Sequence, residues 1–122
     1  LMLSPARFTH QQRLTKSAEF GRVFAKPFRS TDRYFTVLAR DVSFDNPRLG
    51  LAISKKAEKN AAARNRLKRL SREVFRQKNL PALDFIVMAK RNAPVSVNKV
   101  LIESLQKHFS QIVSKARIQR RG

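Results

Sequence analysis

The sequence predicts an α+β fold: a single-domain, two-layer sandwich with about three helices on a small mixed β-sheet. Its 122 residues suit one ordinary domain, and a 42% hydrophobic content with nine Phe suffices for a modest core. The spacing of apolar residues also switches along the chain between strand-like and helical periods. The expected order is α-β-β-α-β-α, with one extra short strand near residues 28–30.

The first helix is expected to begin after Thr15, whose hydroxyl can accept a hydrogen bond from a free amide of the first turn. Phe20, Val23 and Phe24 then share one helix face, and Pro27 ends the helix.

Two strands follow the first helix. Residues 34–40 and 48–54 are rich in aromatic, β-branched and other apolar side chains, which is typical of strands. A turn cluster, Asp45-Asn46-Pro47, separates them. This short connection predicts that the two strands pair as a hairpin.

The second helix is expected at residues 61–77, where Ala63, Leu67, Leu70 and Val74 form a narrow apolar stripe. Residues 84–89 are apolar almost throughout, which predicts a central, buried strand. The last helix is expected at 97–117. Its predicted inner face comprises Leu101, Leu105, Phe109, Ile112 and Ala116. Within the single domain, 1–122, we expect a flexible arm at 1–14 and a basic tail at 117–122.

The charge of the chain indicates a polyanionic partner. Lys and Arg number 27 against eight Asp and Glu, a formal charge of +19. Such a surplus destabilises a compact fold by self-repulsion, and nucleic acid is the leading counterpart, ahead of an anionic membrane surface. The chain has no Cys, which excludes disulfides and thiolate chemistry. With neither a signal-peptide pattern nor an apolar membrane span, a cytoplasmic protein without membrane contact is expected.

The charge concentrates between residues 55 and 78, where ten Lys and Arg accompany two acids. A merely solvated helix face would mix both signs in i,i+4 pairs. The excess of one sign therefore favours contact with RNA or DNA, because Arg offers a planar fork for phosphates and a flat face for stacking.

Catalysis by the protein itself is not indicated. The eight carboxylates are scattered, whereas a nuclease usually clusters carboxylates or His around metals or protons. His108 falls on the apolar face of the last helix, where a packed structural role is expected. We therefore predict no catalytic residue and no metal site in this chain. Phe20, Phe24, Tyr34 and Phe35 are compatible with core packing or with a platform for unpaired bases.

Several motifs together resemble the protein subunit of bacterial ribonuclease P. The segment RLGLAISKK at 48–56 is followed after seven residues by RNRLKRLSRE at 64–73. EFGRVF at 19–24 and DFIVMAK at 84–90 match in order and spacing, so the resemblance runs from about Arg13 to Phe109.

The resemblance implies a left-handed crossover between the last two strands and a role in tRNA processing. A catalytic RNA, which itself binds most of the Mg²⁺, would cleave precursor tRNA to free its mature 5′ end. The protein would be a monomeric RNA-binding subunit of this ribonucleoprotein endonuclease, with the catalytic groups in the RNA.

The resemblance also implies two sets of site residues. Arg66, at the flank of the apolar stripe, would serve structure as well as RNA contact, and Leu38 stands where some family members have an aromatic residue. The RNA-facing set is Lys55, Lys56, Arg64, Asn65, Arg66, Lys68, Arg69 and Arg72. The set for a cleft that holds the single-stranded 5′ leader is Arg13, Phe20, Phe24 and Phe35.

Two other functions stay open on the sequence. A basic ribosomal or RNA-chaperone protein would bind bulk RNA without preferring leader-bearing precursor tRNA. A protein-only nuclease would cleave RNA unaided, which the scattered carboxylates argue against.

Overall fold

A computed structural model describes residues 13–41, 46–55 and 59–121. It confirms the α+β class, with three helices and a four-stranded mixed sheet in this part of the chain. The second helix has the bounds that its periodicity predicted, and the extra short strand is present. The elements are α1 (Ser17–Ala25), β1 (Phe28–Thr31), β2 (Phe35–Asp41), β3 (Arg48–Ala52), α2 (Ala61–Gln77), β4 (Leu83–Ala89) and α3 (Asn98–Arg121).

The strand order is β1-β2-β4-β3, so the predicted hairpin between β2 and β3 is wrong. β4 lies between them, antiparallel to β2 and parallel to β3. The first five residues of β4 are all buried. The burial of apolar side chains on both faces of a strand stabilises the fold, and both faces are covered most fully at the centre of the sheet. α2 therefore connects two parallel neighbours, β3 and β4. The left hand of this crossover stays a prediction.

The main core lies between one face of the sheet and the helices α2 and α3. Alternate strand residues point into it, and the predicted inner face of α3 is buried as expected. Phe75, Phe85 and Phe109, one each from α2, β4 and α3, meet edge to face with ring centroids 5.4–6.2 Å apart. These rings fix the distance between the helices and the sheet.

The short helix α1 covers part of the opposite face, which adds a partial third layer to the predicted two. Val23 packs there with Leu38, Ile86 and Leu14 in a second apolar cluster. Leu14 is only 3% exposed, and its amide donates to the Leu49 carbonyl at 2.9 Å. The predicted flexible arm therefore does not include Leu14. Residues 1–12 of that arm lie outside the described residues.

The start of α1 and the end of α3 differ from the predicted bounds. α1 has Lys16 rather than Thr15 as its N-cap, with the Lys16 amide donating to the Glu19 carboxylate at 3.3 Å. A glutamate at this position satisfies an amide at the start of the helix and interacts favourably with the helix dipole. At the other end of the chain, α3 continues through the predicted basic tail to Arg121.

A buried polar network ties the β1–β2 connection to α3. The imidazole of His108, 1% exposed, lies 2.6 Å from the Ser30 hydroxyl and 3.1 Å from the Asp32 carboxylate. Ser104 also donates to Asp32, at 2.6 Å. Burial raises the pKa of Asp32, but hydrogen bonds from Ser104, two backbone amides and His108 outweigh it and lower the pKa to about 2. The packed role expected of His108 is confirmed.

Replacement of Asp32 by Asn is expected to destabilise the fold at neutral pH by about 1–3 kcal/mol, since it removes a charged acceptor of several hydrogen bonds. The folded pKa lies below the unfolded value of about 3.9, so the Asp32 contribution is present above about pH 4 and disappears toward pH 2. Denaturant unfolding across this range is expected to show a shallower acid-induced loss of stability for Asp32→Asn. The control Glu103→Gln, on an exposed position of α3, is expected to follow the wild type.

Candidate nucleic-acid interface

The helix α2 separates an apolar face from a cationic face. Leu67, Leu70 and Val74 are buried against the main core. On the other side Asn65 and Arg69 are exposed, and Lys68 and Arg72 are half-buried. The helix begins cleanly because the Asn60 side chain accepts a hydrogen bond from the amide of Ala63, at 3.1 Å. The predicted RNA-facing residues of α2 thus divide by exposure.

The two arginines of the RNR segment point to different places. The guanidinium of Arg64 donates to the Lys59 carbonyl at 2.9 Å, which keeps it beside the start of α2. Arg66 instead donates to Asn98 and to two carbonyls of the segment between β4 and α3. Arg66 therefore turns away from the cationic face, as its place beside the apolar stripe suggested.

A small basic cavity lies between α2, β3 and the segment that precedes α1. Its volume is about 170 Å³, and it brings Arg13, which was predicted for the leader cleft, together with Lys68 and Arg72 of the RNA-facing set. The remaining lining residues are Leu14, Thr15, Leu49 and Leu51. Lys55 is exposed at the end of β3, and Lys56 lies outside the described residues.

Phe20 and Phe24 of α1, together with Ala52 and Met88 on the second face of the sheet, form a partly exposed apolar surface, which we call the α1 groove. The ring of Phe20 rests on β3 at Gly50, where a Cβ atom would lie 2.6 Å from the phenylalanine Cζ. Further along the same sheet face, Ala52 and Met88 are only partly buried, and they pack against the same second apolar cluster as Phe20. The α1 groove thus has an aromatic wall and an apolar floor.

The two phenylalanines of α1 differ in exposure. Phe20 is half-buried and packs on the second cluster, whereas Phe24, one turn further along α1, is 45% exposed. Their ring centroids are 6.4 Å apart. An exposed ring on a rigid helix is available for stacking on an unpaired base.

Phe35, which was predicted for the leader cleft beside α1, lies on the opposite face of the sheet. Its side chain is fully buried in the main core, on the α2 and α3 side of β2. Strand side chains alternate between the two faces, so Thr36 and Leu38 point to the α1 side and Phe35 does not. The assignment of Phe35 to the cleft is corrected.

An ion-pair network, missed by the sequence reasoning, positions α1. Arg48 donates two hydrogen bonds to the carboxylate of Asp84, at 2.7 and 2.6 Å, and one to Glu19 at 2.6 Å. Asp84 is fully buried. Desolvation alone would raise the pKa of Glu19, but the contacts with Arg48 and Lys16 lower it, while Asp84 raises the pKa of Arg48. The sequence alone does not reveal this network, because it depends on the pairing of β3 with β4, which places Arg48 opposite Asp84.

More cations surround the end of the sheet where β3 and β4 finish. Arg33, Lys90 and Arg91 are exposed there, and the Lys90 amide donates to the carbonyl of Tyr34 at 2.8 Å. Lys90 belongs to the DFIVMAK motif, which is the signal that could have added it to the predicted site.

Neither a three-residue metal-ligand cluster nor a membrane-spanning helix is present in the described ranges, 13–41, 46–55 and 59–121. No group of three or more His, Asp or Glu side chains there could hold a metal ion. No helix in the same ranges is long and apolar enough to cross a membrane.

The fold and surface define a small basic α+β protein with a cationic helix face and an aromatic groove. The chain belongs to the ribonuclease P protein family: the family model for Ribonuclease P matches residues 8–116. The ribonuclease P protein component of Methylococcus capsulatus is 45% identical over 104 residues, which span 84% of this chain and 81% of that protein. The component from Aliivibrio salmonicida is 40% identical over 107 residues, 86% of this chain and 92% of that one.

Solved structures agree with this membership. The ribonuclease P protein of Staphylococcus aureus superposes with a TM-score of 0.72 at 30% identity and covers 86% of this chain and 94% of its own. The protein from Thermotoga maritima gives 0.68 at 26% identity, covering 84% and 96%. Family membership links the chain to ribonuclease P, a ribonuclease of tRNA processing that includes a catalytic RNA.

Substitution of Gly50 by Ala is expected to displace the Phe20 ring and to destabilise the fold by about 1–3 kcal/mol, because the new methyl group overlaps the ring. Gly21 is the matched control, since a Cβ there meets nothing within 4 Å. Gly21→Ala is expected to stabilise α1 by about 0.5–1 kcal/mol. Denaturant unfolding measures both, and equal effects at the two glycines would contradict the close contact at Gly50.

Proposed function

We propose that this chain binds the catalytic RNA of ribonuclease P through α2 and the 5′ leader of precursor tRNA through the α1 groove. It thereby promotes Mg²⁺-dependent endonucleolytic removal of the leader and formation of the mature tRNA 5′ end. The observation that carries the proposal is the cationic side of α2, a helix with six Lys and Arg between Arg64 and Arg76 and one acid, Glu73.

The cationic face of α2 is suited to a folded RNA. Each Lys or Arg that reaches a phosphate releases condensed counterions, so binding strengthens at low salt. Arg69 is exposed on this face, with Lys68 and Arg72 beside the small basic cavity. The opposite side of α2 is locked in the core, so the cations are held on a rigid element and little order is lost on binding.

The α1 groove is suited to a single strand. Phe24 offers an exposed ring, Ala52 and Met88 offer an apolar floor, and Arg13 lies at the nearby basic cavity. Stacking on an aromatic ring accepts any base, since every base has a π-face. We therefore expect leaders of many sequences to bind. Leu38, which is buried under α1, supplies no ring of its own.

The chemistry in this proposal belongs to the RNA. Mg²⁺ bound mainly by its phosphates would supply the activated water and stabilise the leaving oxygen. The protein lowers the repulsion among packed phosphates, which reduces the Mg²⁺ concentration that the RNA needs. We propose that it acts in the cytoplasm as a monomeric RNA-binding domain spanning residues 1–122.

Precursor-tRNA cleavage by catalytic RNA at low Mg²⁺, with and without the protein, tests the proposal. We expect the protein to accelerate cleavage of leader-bearing precursor. No acceleration would exclude this function. Equal affinity for leader-bearing and leaderless tRNA would favour a general RNA chaperone, and cleavage by the protein alone would favour a protein-only nuclease.

The substitution Phe24→Ala is expected to reduce the affinity for leader-bearing precursor by about 1–3 kcal/mol, because an exposed stacking surface is lost. Thermal stability should change little, since Phe24 is 45% exposed. Phe20→Ala is the comparison, and its half-buried ring should cost stability as well as affinity. A large loss of melting temperature in Phe24→Ala with leader preference intact would assign the ring to the core.

The double substitution Arg64→Ala with Arg69→Ala is expected to weaken assembly with the catalytic RNA. The slope of log affinity against log salt should become shallower by about one for each phosphate contact removed. A salt titration of protein binding to the catalytic RNA measures this slope. An unchanged slope would show that these arginines do not reach phosphates.

A further inference from the structure

Arg66 lies on α2, the helix proposed to face RNA, but its guanidinium donates hydrogen bonds to groups of the protein itself. Nε donates to the Asn98 side chain at 2.7 Å, and the two terminal nitrogens donate to the carbonyls of Pro94 and Ser96 at 3.2 and 2.5 Å. All three acceptors belong to the segment between β4 and α3 or to the first residue of α3. The planar guanidinium donates to these acceptors from three separate nitrogen atoms, whereas a lysine ammonium donates from one nitrogen only.

The segment that Arg66 holds, residues 90–97, is itself ordered by a chain of turns. The Ala93 amide donates to the Lys90 carbonyl at 3.0 Å, and the Ser96 amide to the Ala93 carbonyl at 3.1 Å. The Ser96 hydroxyl donates to the Asn92 carbonyl at 2.9 Å. Ala93 is fully buried, so the segment is pinned to the core at its middle and to α2 by Arg66.

The outer side of this segment has the composition of a contact surface. Lys90, Arg91 and Asn92 are exposed, and Val95 is 85% exposed. A cavity of about 220 Å³ lies between the segment and the β1–β2 connection, and it is lined by Arg33, Tyr34, Asn92, Val95 and Ser96. Cations, an amide and an aromatic ring around a concavity suit an unpaired stretch of a folded RNA.

We infer that Arg66 is a positioning residue, which holds segment 90–97 against α2 so that the cations of the segment and the Tyr34 cavity form a further contact surface for the catalytic RNA. The inference rests on the proposed function for its ligand. The contacts of Arg66 with the segment, which we call the clamp, are a property of the free protein. Arg66 acts through the segment, whereas Arg69, three residues on and exposed, acts on phosphate directly.

Hydrogen exchange of the free protein tests the clamp, with Arg66→Lys and Arg69→Lys as a charge-conserving pair. We expect the Ala93 and Ser96 amides to exchange about tenfold faster in Arg66→Lys, since several hydrogen bonds of the fork are lost. Arg69→Lys should match the wild type. The central-strand amide of Val87 is the reference for global unfolding, and the loop effect must exceed any change there. Equal loop protection in the two variants would overturn the clamp.

Salt titration of binding to the catalytic RNA separates positioning from phosphate contact. Arg66→Lys and Arg66→Ala should both weaken binding several-fold and make the slope shallower to the same extent, because the cations of the segment lose phosphate contacts in both variants. Arg69→Ala should lower the slope by about one, and Arg69→Lys should keep it. A lowered slope in Arg66→Ala, restored by Arg66→Lys, would make Arg66 a phosphate contact and overturn the inference. If the RNA does not bind the wild type, the proposed function fails, and hydrogen exchange alone still decides the clamp.

Discussion

The guanidinium of Arg48 joins β3, β4 and α1, three elements that no tight turn connects. Asp84 is fully buried, and a buried carboxylate without a partner would cost several kcal/mol. The bidentate pair satisfies it and leaves one nitrogen of the same fork to bind Glu19. Because Glu19 lies in the first turn of α1, the ion pair between β3 and β4 also helps to position Phe20 and Phe24. The position of the α1 groove thus depends on an ion-pair network within the protein.

The excess of positive charge is divided among distinct tasks. Arg48 stabilises the fold, Arg66 holds a loop, and the exposed Arg69 faces solvent. Arg66 and Arg69 are three residues apart on one helix, and they differ because Arg66 lies beside the apolar stripe whereas Arg69 lies further from it. The +19 net charge therefore overstates the number of cations available for the proposed contact with RNA.

Periodicity predicted the elements well and their pairing poorly. The stripe of Leu67, Leu70 and Val74 predicted α2 because one buried face gives a clear helical period, and the observed bounds of the helix agree with the predicted ones. The pairing of β2 with β3 was inferred from a short connection, whereas the burial of β4 on both faces decided the order of the sheet. Of the site, the cationic face was within reach of the sequence. The orientation of Phe35 and the fork of Arg48 depend on strand register, which a single sequence does not reveal.

The central position of β4, the last strand in the chain, has a consequence for biosynthesis. As the nascent chain leaves the ribosome, β2 and β3 both emerge before the strand that must separate them. Each keeps an open hydrogen-bonding edge until residues 83–89 are made, and pairing over such sequence distance is slow. α2 has no finished sheet to pack on before that moment. The helix proposed to bind RNA can therefore dock on the complete sheet only after β4 is made, so a chain interrupted before β4 presents no docked cationic face.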